Sequence, residues 1–350
     1  MKLRLFSVAA ALGAAISLGP TGSAQEFPYQ IFERYLEPLA QQIGMPGLSA
    51  LIVRNGRIEW ERAYGHADLE NKVQARLDTP YPVGGITQAM TGVLLGICID
   101  RHQLEVDHPI RNWVPAFPQA DATVRQVLAH AADGRFRYDT AQFTALTTVV
   151  ETCSAKPYRV ATAVEILDRL AMTSTVPGLD LGRREGQAAR DLFEPAPLKI
   201  YADVLRNVAV PYRIDRTGKA IRSEYPSYGL DAAGGLVSTA YDLYRFEAAL
   251  DSGVPLSSST LNEMWSGATF KGVTMPTGLG WFVQTSSGAR LVWTFGHIPD
   301  AGSALILKVP HKRLTLILLS NSDRLAAGYN LEQGDVTTSP FVKIFLRLFL

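Results

Sequence analysis

The sequence lacks a marked excess of charge of either sign, because 34 lysines and arginines stand against 33 aspartates and glutamates. No run of basic residues stands out, so neither nucleic acid nor an anionic membrane surface is an expected partner. The six histidines do not fall at the spacing of metal ligands, and nothing in the sequence implies a cofactor.

Cysteine is nearly absent as well, since only Cys98 and Cys153 occur. Cys98 falls in an apolar, helical stretch, where a buried free thiol is the ordinary state of a cysteine. An oxidising compartment would permit a disulfide between the two residues. The free thiol is the favoured interpretation, and the bridge stays open.

Two common arrangements of a nucleophilic serine are also missing. No serine stands three residues before a lysine, and no Gly-x-Ser-x-Gly pattern occurs. Neither motif therefore indicates a serine hydrolase.

Residues 1–24 are typical of an export signal. Lys2 and Arg4 precede an apolar run over residues 5–18, and small residues follow before position 25. The run is too short to span a bilayer. We therefore expect a signal peptide over 1–24 and a periplasmic or secreted mature chain without a membrane span.

Hydrophobic periodicity predicts the order of the elements. Asn55-Gly56 between two strand-like runs is a strong hairpin signal. Helices are expected over 28–43, 86–100, 123–130, 141–154, 161–170, 199–208, 238–250, 257–265 and 341–349. Strands are expected over 48–53, 57–64, 280–284, 291–295, 303–309 and 314–319, with long loops through much of 178–230.

The strands near the start of the chain and those near its end both require partners in a sheet, and pairing them with each other is the simplest solution. We therefore predict an α+β fold with one antiparallel sheet flanked by helices. Residues 25–78 and 232–350 would form this sheet domain, and residues 79–231 a helical domain beside it. Gly92 and Gly96, four residues apart on a helix apolar on nearly every side, would let a neighbouring element approach closely.

The segment TPYPVGGITQAMTGVLL, residues 79–95, resembles the nucleophile segment of serine β-lactamases and penicillin-binding proteins. The resemblance continues in the same order along nearly the whole mature chain. It is carried by LEVD at 104–107, TVRQVLAHAADG at 123–134, RLAMTST at 169–175, AGGLVSTAYDL at 233–243, GLGW at 278–281 and FGH at 295–297. The family, related to class C β-lactamases, includes D,D-peptidases and esterases, and the resemblance implies its fold.

The resemblance also assigns the site, and the sequence departs from the family at most of its positions. Gly85 stands where the family has its nucleophilic serine, and Gln88 where it has lysine. In place of Tyr-x-Asn the chain has Tyr138 and Thr140.

The third family motif is altered as well. In place of His-x-Gly the chain has His297 and Pro299. The backbone N–H groups of Gly85 and Asp300 would correspond to the oxyanion hole. Ligand contacts are therefore expected from Gly85, Gln88, Tyr138, His297 and Asp300.

A glycine cannot form a covalent acyl intermediate, and a glutamine cannot accept a proton. The favoured hypothesis is an exported, non-catalytic relative whose cleft binds a peptide, a cell-wall fragment or an envelope protein. The alternative is an esterase, amidase or lactamase-like hydrolase in which Tyr138 and His297 act on a water. Ser303 is the weaker replacement nucleophile, and His130 is interpreted as structural.

Overall fold

The computed structural model describes residues 26–350, with the exception of residue 228. The export segment predicted over residues 1–24 lies outside the described residues. None of the helices within the described part is both long and apolar enough to cross a bilayer.

Eleven α-helices and thirteen strands are present in the described part of the chain. The helices are α1 (Glu26–Gln42), α2 (Ile86–Asp100), α3 (Val124–Leu128), α4 (Thr140–Phe143), α5 (Leu146–Ser154), α6 (Tyr158–Thr162), α7 (Gln187–Arg190), α8 (Pro195–Leu205), α9 (Ala240–Ser252), α10 (Ser258–Met264) and α11 (Pro340–Phe349). The strands are β1 (Gly47–Arg54), β2 (Arg57–Asp68), β3 (Val73–Gln74), β4 (Tyr81–Pro82), β5 (Tyr212–Ile214), β6 (Ala220–Arg222), β7 (Val237–Ser238), β8 (Thr269–Phe270), β9 (Val273–Thr274), β10 (Phe282–Ser286), β11 (Ala289–Ile298), β12 (Gly302–Val309) and β13 (Leu314–Ser320).

One antiparallel sheet joins the two ends of the chain in the order β10-β11-β12-β13-β1-β2-β3. The pairing of β1 with β13 brings Leu51 opposite Ile317. Helices cover the sheet on both faces, so the α+β class expected from the sequence is confirmed. The division of the chain at residues 79 and 231 stays a prediction.

Each face of the sheet has its own apolar core, because the strands are buried on both sides. On one face, Phe32 of α1 and Phe341 and Phe345 of α11 pack against the strands. On the other face, the sheet packs against α2 and α9, and α5 and α6 belong to the same apolar core.

Helix α2 is the central element of the fold, and every residue from Ile86 to Cys98 is buried. Its two glycines permit the close approach expected from the sequence. A Cβ at Gly92 would lie 2.3 Å from the carbonyl oxygen of Leu279, and one at Gly96 would lie 2.9 Å from the side chain of Leu256. The middle of this helix is therefore closely packed against neighbouring segments.

The structure corrects the interpretation of the cysteines. Cys98 on α2 and Cys153 on α5 form a disulfide, and the described residues contain no free cysteine. The helical pattern correctly indicated burial, but it could not show that α5 packs beside α2 and brings the second sulfur within bonding distance.

Several element boundaries differ from the predicted ones. The helix predicted over 141–154 is divided into α4 and α5, and the one over 161–170 begins earlier as α6 and continues as a π-helix over Ala163–Asp168. Helix α8 begins at Pro195 rather than 199, because proline fits the first turn of a helix. The region 178–230 also contains α7 and the β5–β6 pair, which weak periodicity did not reveal.

Candidate functional site

A cleft of about 400 Å³ opens at the start of α2. Its walls come from the turn before α2, the start of α4, the loops around residues 226 and 231–234, the end of β11 and Glu332. It is lined by Gly84, Gly85, Tyr138, Thr140, Ala141, Thr144, Pro226, Asp231, Ala233, Gly234, His297, Ile298, Pro299 and Glu332. Five of the seven site positions assigned from the sequence therefore lie together.

Gly85 directly precedes α2, and the space beyond its Cα is already filled. A Cβ there would lie 2.6 Å from the carbonyl oxygen of Phe295 and 2.8 Å from the hydroxyl of Tyr138. Real Cβ atoms do not approach a backbone oxygen so closely, so any side chain at this position must displace β11. The structure provides no room for a serine at position 85.

Two neighbouring glycines make this close packing possible. Gly84 has a φ of +51°, and a Cβ on it would meet the backbone of Gly296 and His297 at 3.1 Å. A Cβ on Gly296 would lie 2.0 Å from the carbonyl oxygen of Val83. Strand β11 is therefore pressed directly against the turn that would carry a nucleophile.

Gln88 is not among the residues that line the cleft, and the contact expected between it and a ligand stays a prediction. Its side chain is buried between two rings, where the amide nitrogen donates to the hydroxyl of Tyr138 at 3.0 Å. Its amide oxygen lies 3.0 Å from Nε2 of His130. Gln88 lies in the first turn of α2 and contacts Tyr138, which lines the cleft in its place.

His130 has the structural role that the sequence suggested. The backbone N–H of Asp139 donates to its Nδ1 at 3.1 Å, and its ring stacks on Phe143. Burial lowers the pKa of His130 to about 4, so its imidazole is neutral at physiological pH. Burial also raises the pKa of the Tyr138 phenol, which stays protonated. The floor of the cleft is therefore uncharged.

The rim of the cleft carries acidic groups that the sequence did not single out. Asp231 accepts hydrogen bonds from the N–H groups of Ala233 and Gly234. Glu332 lies 3.5 Å from Nδ1 of His297. No sequence signal placed either carboxylate here, because each reaches the cleft through the tertiary fold.

Asp300 is not among the residues that line the cleft, and the contact expected between it and a ligand stays a prediction. It is exposed in the turn between β11 and β12 with a φ of +60°, and its N–H donates to the carboxylate of Asp323 at 3.1 Å. Of the two donors expected for an oxyanion hole, the N–H of Asp300 is therefore already engaged by Asp323.

Ser303 is fully buried on β12 and is not a replacement nucleophile. Its hydroxyl accepts a hydrogen bond from the N–H of Leu325 and donates to the carbonyl oxygen of Ser322 at 2.5 Å. Thr140, by contrast, is exposed and lines the cleft. The hydroxyl of Tyr138 is bonded by Gln88 rather than by Thr140. Within the described residues, no group of three or more His, Cys, Asp or Glu side chains is arranged to hold a metal ion.

The beta-lactamase family model matches residues 32–333, which is most of the chain and includes every residue of the cleft. The chain belongs to the beta-lactamase family.

Among curated relatives, the human mitochondrial serine beta-lactamase-like protein LACTB is 26% identical over 102 residues, 27% of this chain and 19% of that protein. The putative penicillin-binding protein PbpX of Bacillus subtilis is 22% identical over 278 residues, 71% of this chain and 64% of that protein. The aligned part thus spans less than two thirds of either relative.

Among solved structures, the octameric penicillin-binding protein homologue from Pyrococcus abyssi superposes with a TM-score of 0.71. It is 18% identical in sequence, and the superposition covers 91% of this chain and 77% of that one. At this identity the likeness shows a shared fold, and the chemistry has to be argued from the cleft itself.

Proposed function

We propose that this member of the beta-lactamase family is an exported binding protein whose cleft holds a ligand without acyl transfer. The observation that carries the proposal is the filled space at Gly85, where the Phe295 carbonyl oxygen and the Tyr138 hydroxyl stand in the place of a side chain. A nucleophile is absent there, and the structure leaves no volume for one.

The surrounding groups support the same conclusion. No base faces position 85, because Gln88 is neutral and both of its amide atoms are engaged by His130 and Tyr138. The N–H of Asp300 serves Asp323 instead of an oxyanion. The family's serine and lysine are thus absent and the Asp300 donor is engaged by Asp323, while an open cleft of about 400 Å³ remains.

Export is supported by the Cys98–Cys153 disulfide, since structural disulfides form and persist in oxidising compartments. Together with the signal-like residues 1–24, it favours the periplasm or the extracellular medium. The ligands available there are peptides, cell-wall fragments and envelope proteins. A concave site of this size suits a fragment of one of them.

The first experiment separates binding from catalysis. The chain from residue 25 onward is incubated with a fluorescent penicillin and with short p-nitrophenyl esters. We expect no covalent labelling of the wild type or of Tyr244→Phe, whose lost hydroxyl bonds Gly56 outside the cleft, and no ester turnover by either protein above that of buffer alone. Turnover that is lost in Tyr138→Phe or His297→Ala contradicts the proposal.

A second experiment detects the ligand directly. Soluble peptidoglycan fragments and short peptides are titrated against the isotope-labelled chain, and amide shifts at Gly85, Thr140 and Gly234 are followed. Saturable binding confined to these residues supports the proposal. Shifts spread over the surface, or none at all, contradict it.

The reconstructed motif gives a third test. Gly85→Ser with Gln88→Lys returns the family's residues, but the serine would collide with β11 and the lysine would be buried among neutral groups. We expect no penicillin labelling of this double variant. Labelling would show that β11 can move aside and that the cleft is still arranged for acyl transfer.

A hydrolase remains the second candidate because of one feature of the rim. A histidine whose Nδ1 faces a carboxylate can take a proton from a water, and His297 faces Glu332 in this way. The pair stands at 3.5 Å on an exposed rim, without an oxyanion hole opposite it. The ester assay with His297→Ala decides between the two candidates.

A further inference from the structure

The hydrogen bonds beneath the cleft form a chain whose direction can be worked out from its first member. The backbone N–H of Asp139 can only donate, and it points at Nδ1 of His130 at 3.1 Å. Nδ1 must therefore accept, which makes it the nitrogen without a proton. A neutral imidazole then carries its proton on Nε2.

The directions of the next two hydrogen bonds follow from this tautomer. Nε2–H of His130 donates to the amide oxygen of Gln88 at 3.0 Å, and this fixes the orientation of the amide. The amide nitrogen of Gln88 then faces Tyr138 and donates to its hydroxyl oxygen at 3.0 Å. The opposite amide orientation would place two N–H groups against each other, so the geometry permits one arrangement.

The last hydroxyl in this series of hydrogen bonds is that of Tyr138. Gln88 is the hydrogen-bond partner of this hydroxyl among the residues that the structure describes, and it supplies a proton rather than accepting one. The phenol proton is therefore still available, at the point where Tyr138 and Gly85 line the cleft.

We infer that the Asp139–His130–Gln88 chain makes Tyr138 a fixed hydrogen-bond donor into the cleft, which selects a ligand that presents an uncharged acceptor oxygen, such as an amide or ester carbonyl. The inference rests on the proposed function, since it names the ligand chemistry of the same cleft. Tyr138 contacts the ligand, and Gln88 and His130 are positioning residues.

The charges of the rim disfavour an anionic acceptor in the cleft. Asp231 and Glu332 would repel a carboxylate, and the lining contains no lysine or arginine to compensate for them. A ligand that only donates would find the Tyr138 oxygen already occupied by Gln88. A site built to donate one hydrogen bond discriminates against a ligand that cannot accept it, because a buried polar group is then left unpaired.

Two small uncharged probes test the direction of the hydroxyl. N-acetylpyrrolidine has an acceptor oxygen and no N–H, whereas pyrrole has an N–H and no strong acceptor. Their dissociation constants are measured by chemical-shift titration at pH 7.5 for the wild type, Tyr138→Phe, Gln88→Met and the control Tyr244→Phe. We expect the wild type to bind N-acetylpyrrolidine about tenfold more tightly than pyrrole.

The variants separate contact from positioning. Tyr138→Phe should weaken N-acetylpyrrolidine about tenfold and leave pyrrole unchanged. Gln88→Met keeps the hydroxyl but frees it to accept, so the ratio of the two affinities should fall from about ten to about two. A merely structural role of Gln88 would weaken both probes equally, and an unchanged ratio in both variants overturns the inference.

A second measurement decides the inference where no probe binds, an outcome that would count against the proposed function itself. The nitrogen chemical shifts of His130 report which ring nitrogen carries the proton. We expect a protonated Nε2 and an unprotonated Nδ1 at pH 7.5. The opposite tautomer, or an imidazolium, overturns the inference whatever the probes do.

Discussion

Two buried polar networks of this protein differ in charge. Beside α9, the ammonium group of Lys308 on β12 lies 2.6 Å from Glu247 and 2.8 Å from Asp251, above the ring of Trp265. Beneath the cleft, the chain from Asp139 through His130 and Gln88 to Tyr138 ends on neutral groups. One network holds a cation in the interior, and the other has none.

The difference shows what a buried lysine requires in this fold. Burial alone would lower the pKa of Lys308, but Glu247 and Asp251 outweigh it and raise that pKa. No carboxylate bonds to Gln88, whose amide atoms contact a neutral imidazole and a neutral phenol. A lysine at position 88 would have no such partner, so a glutamine there agrees with the proposed non-catalytic cleft.

The largest effect is expected at the charged network. Lys308→Met leaves the buried Glu247 and the partly exposed Asp251 without their cation, and we expect the free energy of unfolding to fall by about 4 kcal/mol. Urea unfolding at pH 7 measures it, and Lys343→Met on the exposed face of α11 is the control. A loss below that of the control would mean that the two carboxylates find other partners.

The neutral network should make the free energy of unfolding depend on pH. The pKa of His130 is about 4 in the folded state, below its ordinary value of 6.5, so the unfolded chain takes up the proton first as pH falls. The stability that this histidine contributes is complete above pH 6.5 and is lost as pH falls towards 4. The shift corresponds to about 3 kcal/mol.

Urea unfolding at several pH values between 7 and 4 tests this expectation. His130→Gln should unfold with a shallower dependence on pH than the wild type, whatever its stability at pH 7. His102→Gln, a change on the surface, should keep the wild-type dependence. Equal slopes in all three proteins would show that His130 is not held neutral.

A smaller effect is expected where β11 meets the turn before α2. Gly85→Ala places a Cβ 2.6 Å from the carbonyl oxygen of Phe295, and overpacking of this kind costs about 2 kcal/mol. Gly302→Ala is the matched control, because its Cβ meets its first neighbour at 3.5 Å. Equal stability of the two variants would mean that β11 yields easily and that position 85 can accept a side chain.

The sequence predicted the framework well because the framework depends on local periodicity. Alternating and apolar runs marked the strands of the sheet, and the spacing of Gly92 and Gly96 indicated the close packing of α2. Weakly periodic segments were predicted less well, as the short helices within 178–230 show.

The site was predicted in part, since the family's motif order located Gly85, Tyr138 and His297 at one cleft. The direction of the Asp300 N–H was not predictable, because it depends on a positive φ in a turn and on Asp323, 23 residues away. The disulfide and the carboxylates of the rim likewise depend on contacts between distant segments.

The smallest effect is expected from the last member of the neutral network. Tyr138→Phe leaves the amide N–H of Gln88 without an acceptor, at a cost of about 1 kcal/mol. Tyr244→Phe removes a hydroxyl that donates to the carbonyl oxygen of Gly56 and serves as the control. Because a neutral network loses only one hydrogen bond, Tyr138→Phe should cost several-fold less than Lys308→Met in the same urea titration. Comparable losses in the two variants would show that charge is not what distinguishes the two networks.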